Sequence, residues 1–242
     1  SIGKKNVYLD AVYTTIKTAK IVYDANGGTV SASADGGYPF MVGTDGRPVM
    51  DGDKPKNLNT HTIVRTADEL TVVGLVNNSP IRLSTGEGFT APAASGATLS
   101  GWNTEPDGSG THYALGSYQD ENSNLYYVDI AEPKTLYAEW KITVYFDKNS
   151  GNNSGADFSS TGWNGYTLIA DGGVHDGQYS IETYVNAPLV EPQGTVVKEG
   201  LSFEFVSTEP DGGEESAFHF TKTKLTLSLV LYAHLANMVK VP

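Results

Sequence analysis

The segment Leu136-Tyr137-Ala138-Glu139-Trp140 returns as Leu231-Tyr232-Ala233-His234-Leu235 and, more faintly, as Leu9-Asp10-Ala11-Val12-Tyr13. Two further signals recur in the same order. Tyr23-Asp24-Ala25-Asn26-Gly27-Gly28 matches Phe146-Asp147-Lys148-Asn149-Ser150-Gly151, and Thr104-Glu105-Pro106-Asp107-Gly108 matches Thr208-Glu209-Pro210-Asp211-Gly212. Self-similarity of this kind constrains a chain more than any single motif, because each copy has to bury the same faces in the same order. The first copy is longer than the second, so it carries an insertion at about 31–98. That stretch is punctuated by Gly36-Gly37, Asp45-Gly46-Arg47-Pro48 and Asp51-Gly52-Asp53 and reads as loops and hairpins around one strand at Leu70-Thr71-Val72-Val73. The expected organisation is a terminal strand of a preceding unit, or a linker, at 1–18; a first unit at 19–140; and a second, degenerate unit at 141–242.

Within each copy the periodicity is that of strands. Ala19, Ile21 and Tyr23 share one face with Lys20, Val22 and Asp24 opposite, and Ile142, Val144 and Phe146 repeat the pattern. Leu136, Ala138 and Trp140 form a closing inward face, as do Leu231, Ala233 and Leu235. The Asn-Gly-Gly and Asn-Ser-Gly that follow the opening strands supply residues tolerant of positive φ, as a tight turn requires. Pro-Asp-Gly predicts a hairpin turn in each copy, because Pro presets φ at the first turn position and Asp-Gly completes the reversal. Long helical patterns are absent; Thr66-Ala67-Asp68-Glu69 has the form of a helix cap, and Leu115 to Ser123 has room for one turn. The fold class expected from these signals is mainly β or α+β.

The order Tyr-Asp-Ala-Asn-Gly-Gly, Gly-Trp-Asn-Thr-Glu-Pro-Asp-Gly-Ser-Gly and Thr-Leu-Tyr-Ala-Glu-Trp, carried by residues 19–140, resembles the Listeria–Bacteroides repeat, the B-repeat module of internalins and other bacterial surface proteins. The second copy departs from the pattern at Ser150, at Phe205-Val206 in place of Gly-Trp, and at Leu235 in place of the closing Trp. The resemblance implies tandem small β-grasp-like, ubiquitin-like units, here decorated by insertions, with Trp102 and Trp140 in the core. It also implies a place on the cell envelope.

Chemistry finds little foothold. The chain has no cysteine, which removes disulfides, thiolate metal sites and a Cys nucleophile; with its acidity and Gly/Tyr/Thr-rich repeats it has the look of an exported bacterial chain. The net charge of −12 opposes nucleic acid and anionic lipid, and no run reaches the roughly 18 apolar residues of a membrane helix. Ser1-Ile2-Gly3 carries neither Met nor a signal segment, as expected of a mature or excised piece. His61, His112, His175, His219 and His234 have no ligand spacing. Asp120-Glu121-Asn122-Ser123-Asn124 opens like a calcium loop but places Leu125 where Gly is needed and Ala131 where a bidentate Glu is needed, so it is read as a polar turn. Gly86-Glu87-Gly88 lacks the later Gly of a dinucleotide fingerprint, and no nucleophile elbow or phosphate loop occurs. No enzyme activity, metal or cofactor is expected.

Aromatic rings remain as candidate contacts, since Trp and Tyr faces stack on sugars and anchor protein interfaces. Trp163 and Tyr166 lie in the Gly-rich Thr161-Gly162-Trp163-Asn164-Gly165-Tyr166, outside the repeated motifs, and are the candidate binding residues. The leading expectation is an extracellular, cell-surface-attached or secreted repeat module with a protein or glycan partner, serving adhesion, partner binding or spacing. The rivals are a carbohydrate-binding accessory module of a secreted glycan-degrading protein and a pilin-like subunit with Lys–Asn isopeptide bonds, although no Leu-Pro-x-Thr-Gly sorting motif appears.

Overall fold

In the computed structural model, which describes residues 18–127 and 134–238, ten strands join one mixed sheet. They are β1 (Thr18–Asp24), β2 (Thr62–Arg65), β3 (Glu69–Val76), β4 (Thr98–Asn103), β5 (His112–Tyr113), β6 (Lys134–Asp147), β7 (Thr167–Leu168), β8 (Tyr179–Tyr184), β9 (Leu201–Ser207) and β10 (Leu229–Asn237). Small two-stranded pieces decorate it, such as Thr29–Val30 with Phe89–Thr90. No α-helix occurs among the described residues; one 3-10 turn spans Glu214–Ser216. The faint copy at Leu9 to Tyr13 and the strand expected before residue 18 lie outside the described residues.

The central element is β6, fourteen residues long, which contains both the closing motif of the first copy and the opening strand of the second. Its first half lies between β1, parallel, and β4, antiparallel. Its second half lies between β8, antiparallel, and β10, parallel. Lys141 pairs with Thr98 on one edge and Tyr184 on the other, so β8 continues the edge that β1 occupied and β10 the edge that β4 occupied. Both halves therefore show one order: β3-β1-β6-β4 and β8-β6-β10-β9. Alternation explains why β6 can serve both. Leu136, Ala138, Trp140, Ile142, Val144 and Phe146 are all buried, with intervening residues mostly half-buried.

The β2–β3 hairpin falls inside the stretch expected to be insertion, yet β3 is the antiparallel neighbour of β1 and belongs to the main sheet. Thr66 to Glu69 is its turn rather than a helix start. Thr66 Oγ1 does accept the Glu69 amide at 3.0 Å, as a cap would, but the chain returns at once into paired strand because Leu70, Val72 and Leu75 are needed in the core. Leu115 to Ser123 forms no helical turn either; Gln119 bridges Leu125 around a tight loop.

The turn after each opening strand is built the same way twice. Asp24 Oδ1 accepts the Asn26 amide at 2.7 Å and Asp147 Oδ1 accepts the Asn149 amide at 2.6 Å. Asn26 and Asn149 both adopt positive φ, 50° and 57°, which Asn tolerates better than other non-Gly residues. Each Asn side-chain amide then donates to a carbonyl of its own hairpin and its own closing strand: Pro106 and Ala138 for Asn26, Pro210 and Ala233 for Asn149. One short polar side chain thus ties three segments together; the Asp-x-Asn turn that presents it is local, while its partners are distant in sequence.

The halves are also bonded directly. Asn186 donates to Asn26 Oδ1 at 2.8 Å and the Ser228 amide to Ser95 O at 2.7 Å.

Candidate functional site

The first hairpin carries a buried polar cluster. Glu139, 4% exposed, accepts Asn103 Nδ2 at 2.6 Å on one carboxylate oxygen and meets His112 Nδ1 at 2.5 Å on the other. Gly101 makes the room: a Cβ there would fall 2.4 Å from the His112 ring and 2.8 Å from Glu139 Oε2. Asn103 Oδ1 in turn accepts the Glu105 amide at 3.0 Å and starts the Pro-Asp-Gly turn. The Gly-Trp-Asn and Glu of the repeat motif are therefore one device that satisfies a buried carboxylate and sets the hairpin. The second copy replaces it: Phe205 stands opposite His234, their rings stacked at 4.5 Å, and Ser207 Oγ lies 2.9 Å from His234 Nε2.

Trp102 and Trp140 are core residues as expected, 0% and 2% exposed. Trp102 donates Nε1 to Ser84 O at 2.9 Å and meets Tyr23 and Phe89 edge-on; Trp140 donates to Ala25 O at 2.6 Å.

Trp163 and Tyr166 do come together, with ring centroids 5.9 Å apart, but as packing elements of the second half rather than as an exposed platform. Each is 9% exposed. Trp163 stacks on Tyr179 at 4.2 Å, takes the edge of Phe158 at 5.0 Å and donates Nε1 to Ser159 O at 3.2 Å; the Tyr166 hydroxyl donates to Val190 O. The glycines that suggested an open loop have the opposite effect here. Gly194 lies flat on the indole, where a Cβ would stand 2.4 Å away, and its amide bonds Gly162 O at 2.8 Å, so backbone covers the ring. Burial, and then the charge of Glu191, push the Tyr166 hydroxyl up to about 12.

Trp163 nevertheless lines a cavity of about 70 Å³, walled also by Phe146, Phe158, Val196, Val206 and Phe220. Glu191 and Phe203 are its exposed lining residues. Sequence reasoning missed it. The signal was the substitution of Val206 for the hairpin Trp, whose consequence depends on what packs across from it.

The Asp120 loop holds its own charge. Asp120 Oδ1 accepts the amides of Asn122 and Asn124 at 2.9 and 2.8 Å, and Oδ2 accepts Asn124 Nδ2 at 2.9 Å; these bonds lower its pKa. Ala131, the other end of the calcium-loop comparison, lies outside the described residues. Among the described residues no three His, Asp or Glu side chains converge as a metal set, and no helix is long and apolar enough to cross a membrane.

Over a 122-residue alignment that covers 48% of the chain, the sequence is 34% identical to a protein of Evansella cellulosilytica provisionally named a Gly-rich membrane protein. The aligned part is 11% of that protein, so the chain spans about a tenth of the curated relative's length. No solved structure matches. A family model matches from Arg82, beside the buried Ser84, through the hairpin and the closing motif to Glu139; the Asn26 turn precedes it. Residues 82–139 match the model of the Listeria-Bacteroides repeat domain, the family that Gly-Trp-Asn and Leu-Tyr-Ala-Glu-Trp resemble.

Proposed function

We propose that the chain is a non-catalytic repeat module of a bacterial cell-surface protein, outside the cell, whose role is to space and present neighbouring parts of a longer chain to a protein or glycan partner. The observation that carries this reading is β6: a strand common to both halves leaves no hinge between them, and the Asn26–Asn186 and Ser95–Ser228 bonds brace the junction. A linker of flexible residues would let two units tumble; a continuous strand holds them at one angle. We read each strand order as β-grasp-like, with opening and closing strands parallel at the centre and an antiparallel neighbour on each side, the usual helix being replaced by loops. The repeat family and the relative named as a membrane protein support a surface setting.

A sugar-stacking role receives less support, because Trp102, Trp140 and Trp163 are all buried. The test is protease treatment of intact cells making the full-length protein. Loss of the antibody signal for this module without lysis is expected; a signal that is lost only after lysis would refute the surface reading, and saturable binding on a glycan array would put the carbohydrate-binding role in place of spacing.

A further inference from the structure

The two hairpins meet their closing strands in one register, and comparing them shows what the second half lacks. Trp102 stands opposite Ala138 and Val206 opposite Ala233; Tyr23 stands opposite Leu136 and Phe146 opposite Leu231. Val206 therefore occupies the place of Trp102, and Phe146 that of Tyr23. In the first half the Trp102 indole fills the space against Tyr23 and Phe89. In the second half the corresponding space is only partly taken up by Trp163, whose centroid is 5.8 Å from Phe146, and the cavity of about 70 Å³ remains, bounded by Phe146, Val206 and Ala233.

We propose that this cavity is a binding site for a single aromatic ring that carries a positive charge close to it, the ligand supplying the second half with the ring that Trp102 supplies to the first. Size favours partial insertion. The cavity volume of about 70 Å³ is several times the ~10–15 Å³ that one water needs and about half of a ~150 Å³ apolar cavity that holds a whole benzene, so a ring enters with one edge left at the open side. Walls of Phe146, Phe158, Trp163 and Phe220 present ring edges and faces that suit a further ring better than an aliphatic chain. Charge selects the rest of the ligand. Among the described residues no Lys or Arg lines the cavity, Glu191 is an exposed lining residue, and the chain carries a net −12, so a cation is drawn in and an anion repelled. Asp147 also lines the site, but its oxygens are engaged by the Asn149 amide and the Gln178 side chain, which leaves Glu191 as the carboxylate that meets the ligand.

This site does not depend on the spacer reading, since it would bind its ligand whether or not the chain sits on a cell. The probe is phenethylamine, titrated into the whole chain while NMR follows the Val196 and Val206 methyls and the Trp163 indole N–H. Saturable shifts at those three positions and none at the Trp102 indole are expected. Val206→Phe should fill the space and weaken binding by about tenfold, a loss of about 1.4 kcal/mol; Val206→Leu, a smaller change, should weaken it in the same direction and keeps the test valid if the Phe variant folds poorly. Phenylacetate should bind several-fold more weakly than phenethylamine in the wild type, and the gap between the two should narrow in Glu191→Gln. A blocked Lys-Phe-Lys peptide that binds more tightly than phenethylamine would place the ring on a protein partner; weaker binding would place it on a free small molecule. Absence of saturable shifts at the cavity, or affinity unchanged in both Val206 variants, would overturn the site, and phenylacetate binding as well as phenethylamine would overturn the charge selection.

Discussion

Trp140→Ala tests whether the two halves are one folding body. The ring is 2% exposed, donates Nε1 to Ala25 O at 2.6 Å, and lies so close to Gly28 that a Cβ there would stand 2.8 Å from its Cζ2. Removing a ring from such a site costs about 3–5 kcal/mol. The Ala25 carbonyl keeps the Gly28 amide at 2.9 Å, so the lost hydrogen bond adds about 0.5–1 kcal/mol rather than the larger penalty of an orphaned acceptor. A total near 4.5 kcal/mol, with a urea slope near ~3 kcal/mol per molar, lowers the midpoint by about 1.5 M. Fluorotryptophan labelling lets fluorine NMR follow Trp102 in the first half and Trp163 in the second through one urea titration. Because β6 belongs to both, the two resonances should lose native intensity together, at the lowered midpoint. If Trp102 were lost early while Trp163 held its wild-type midpoint, the argument that a common strand couples the halves would fail.

Asn26→Ala removes three side-chain hydrogen bonds, to Pro106, Ala138 and Asn186, and puts Ala at φ 50°; a loss of about 3 kcal/mol is expected from hydrogen bonds near ~1 kcal/mol each, read as a fall in melting temperature. Trp163→Ala should cost about 3–4 kcal/mol by denaturant unfolding, close to a core change, since the ring is stacked and covered; a cost under ~1 kcal/mol would mean that the indole is exposed after all. Tyr166 has a folded-state pKa raised to about 12, against about 10 when unfolded. Its contribution is fully present below pH ~10 and is lost as pH rises through about 12, so melting temperature should fall across that window and fall less in Tyr166→Phe. EDTA should leave the melting temperature unchanged, because the Asp120 oxygens are already bonded by their own loop; a calcium-induced rise abolished by Asp120→Ala would refute this.

What the amino-acid sequence determines by itself is local and repeated. The Asp-x-Asn turns are readable because Asp and Asn side chains bond backbone two residues away, and the Leu-x-Ala faces because strands alternate with period two. Burial of Trp102 and Trp140 follows from the same alternation together with the family likeness. Tertiary structure decided everything that depends on a neighbour distant in sequence. Only pairing shows that the closing strand of one copy and the opening strand of the next are a single β6, because periodicity runs unbroken across Lys141 and does not mark where partners change. Only pairing places β3, from within the expected insertion, beside β1. Trp163 and Tyr166 looked available because glycines surround them, and whether a Gly-rich segment opens a ring to solvent or lets backbone lie flat on it depends on Gly194, some thirty residues away. Val206 is an ordinary strand residue in sequence; it opens a cavity because it faces Ala233 and Phe146 where the other copy has an indole, and volume left unfilled is a property of the packed whole rather than of any segment.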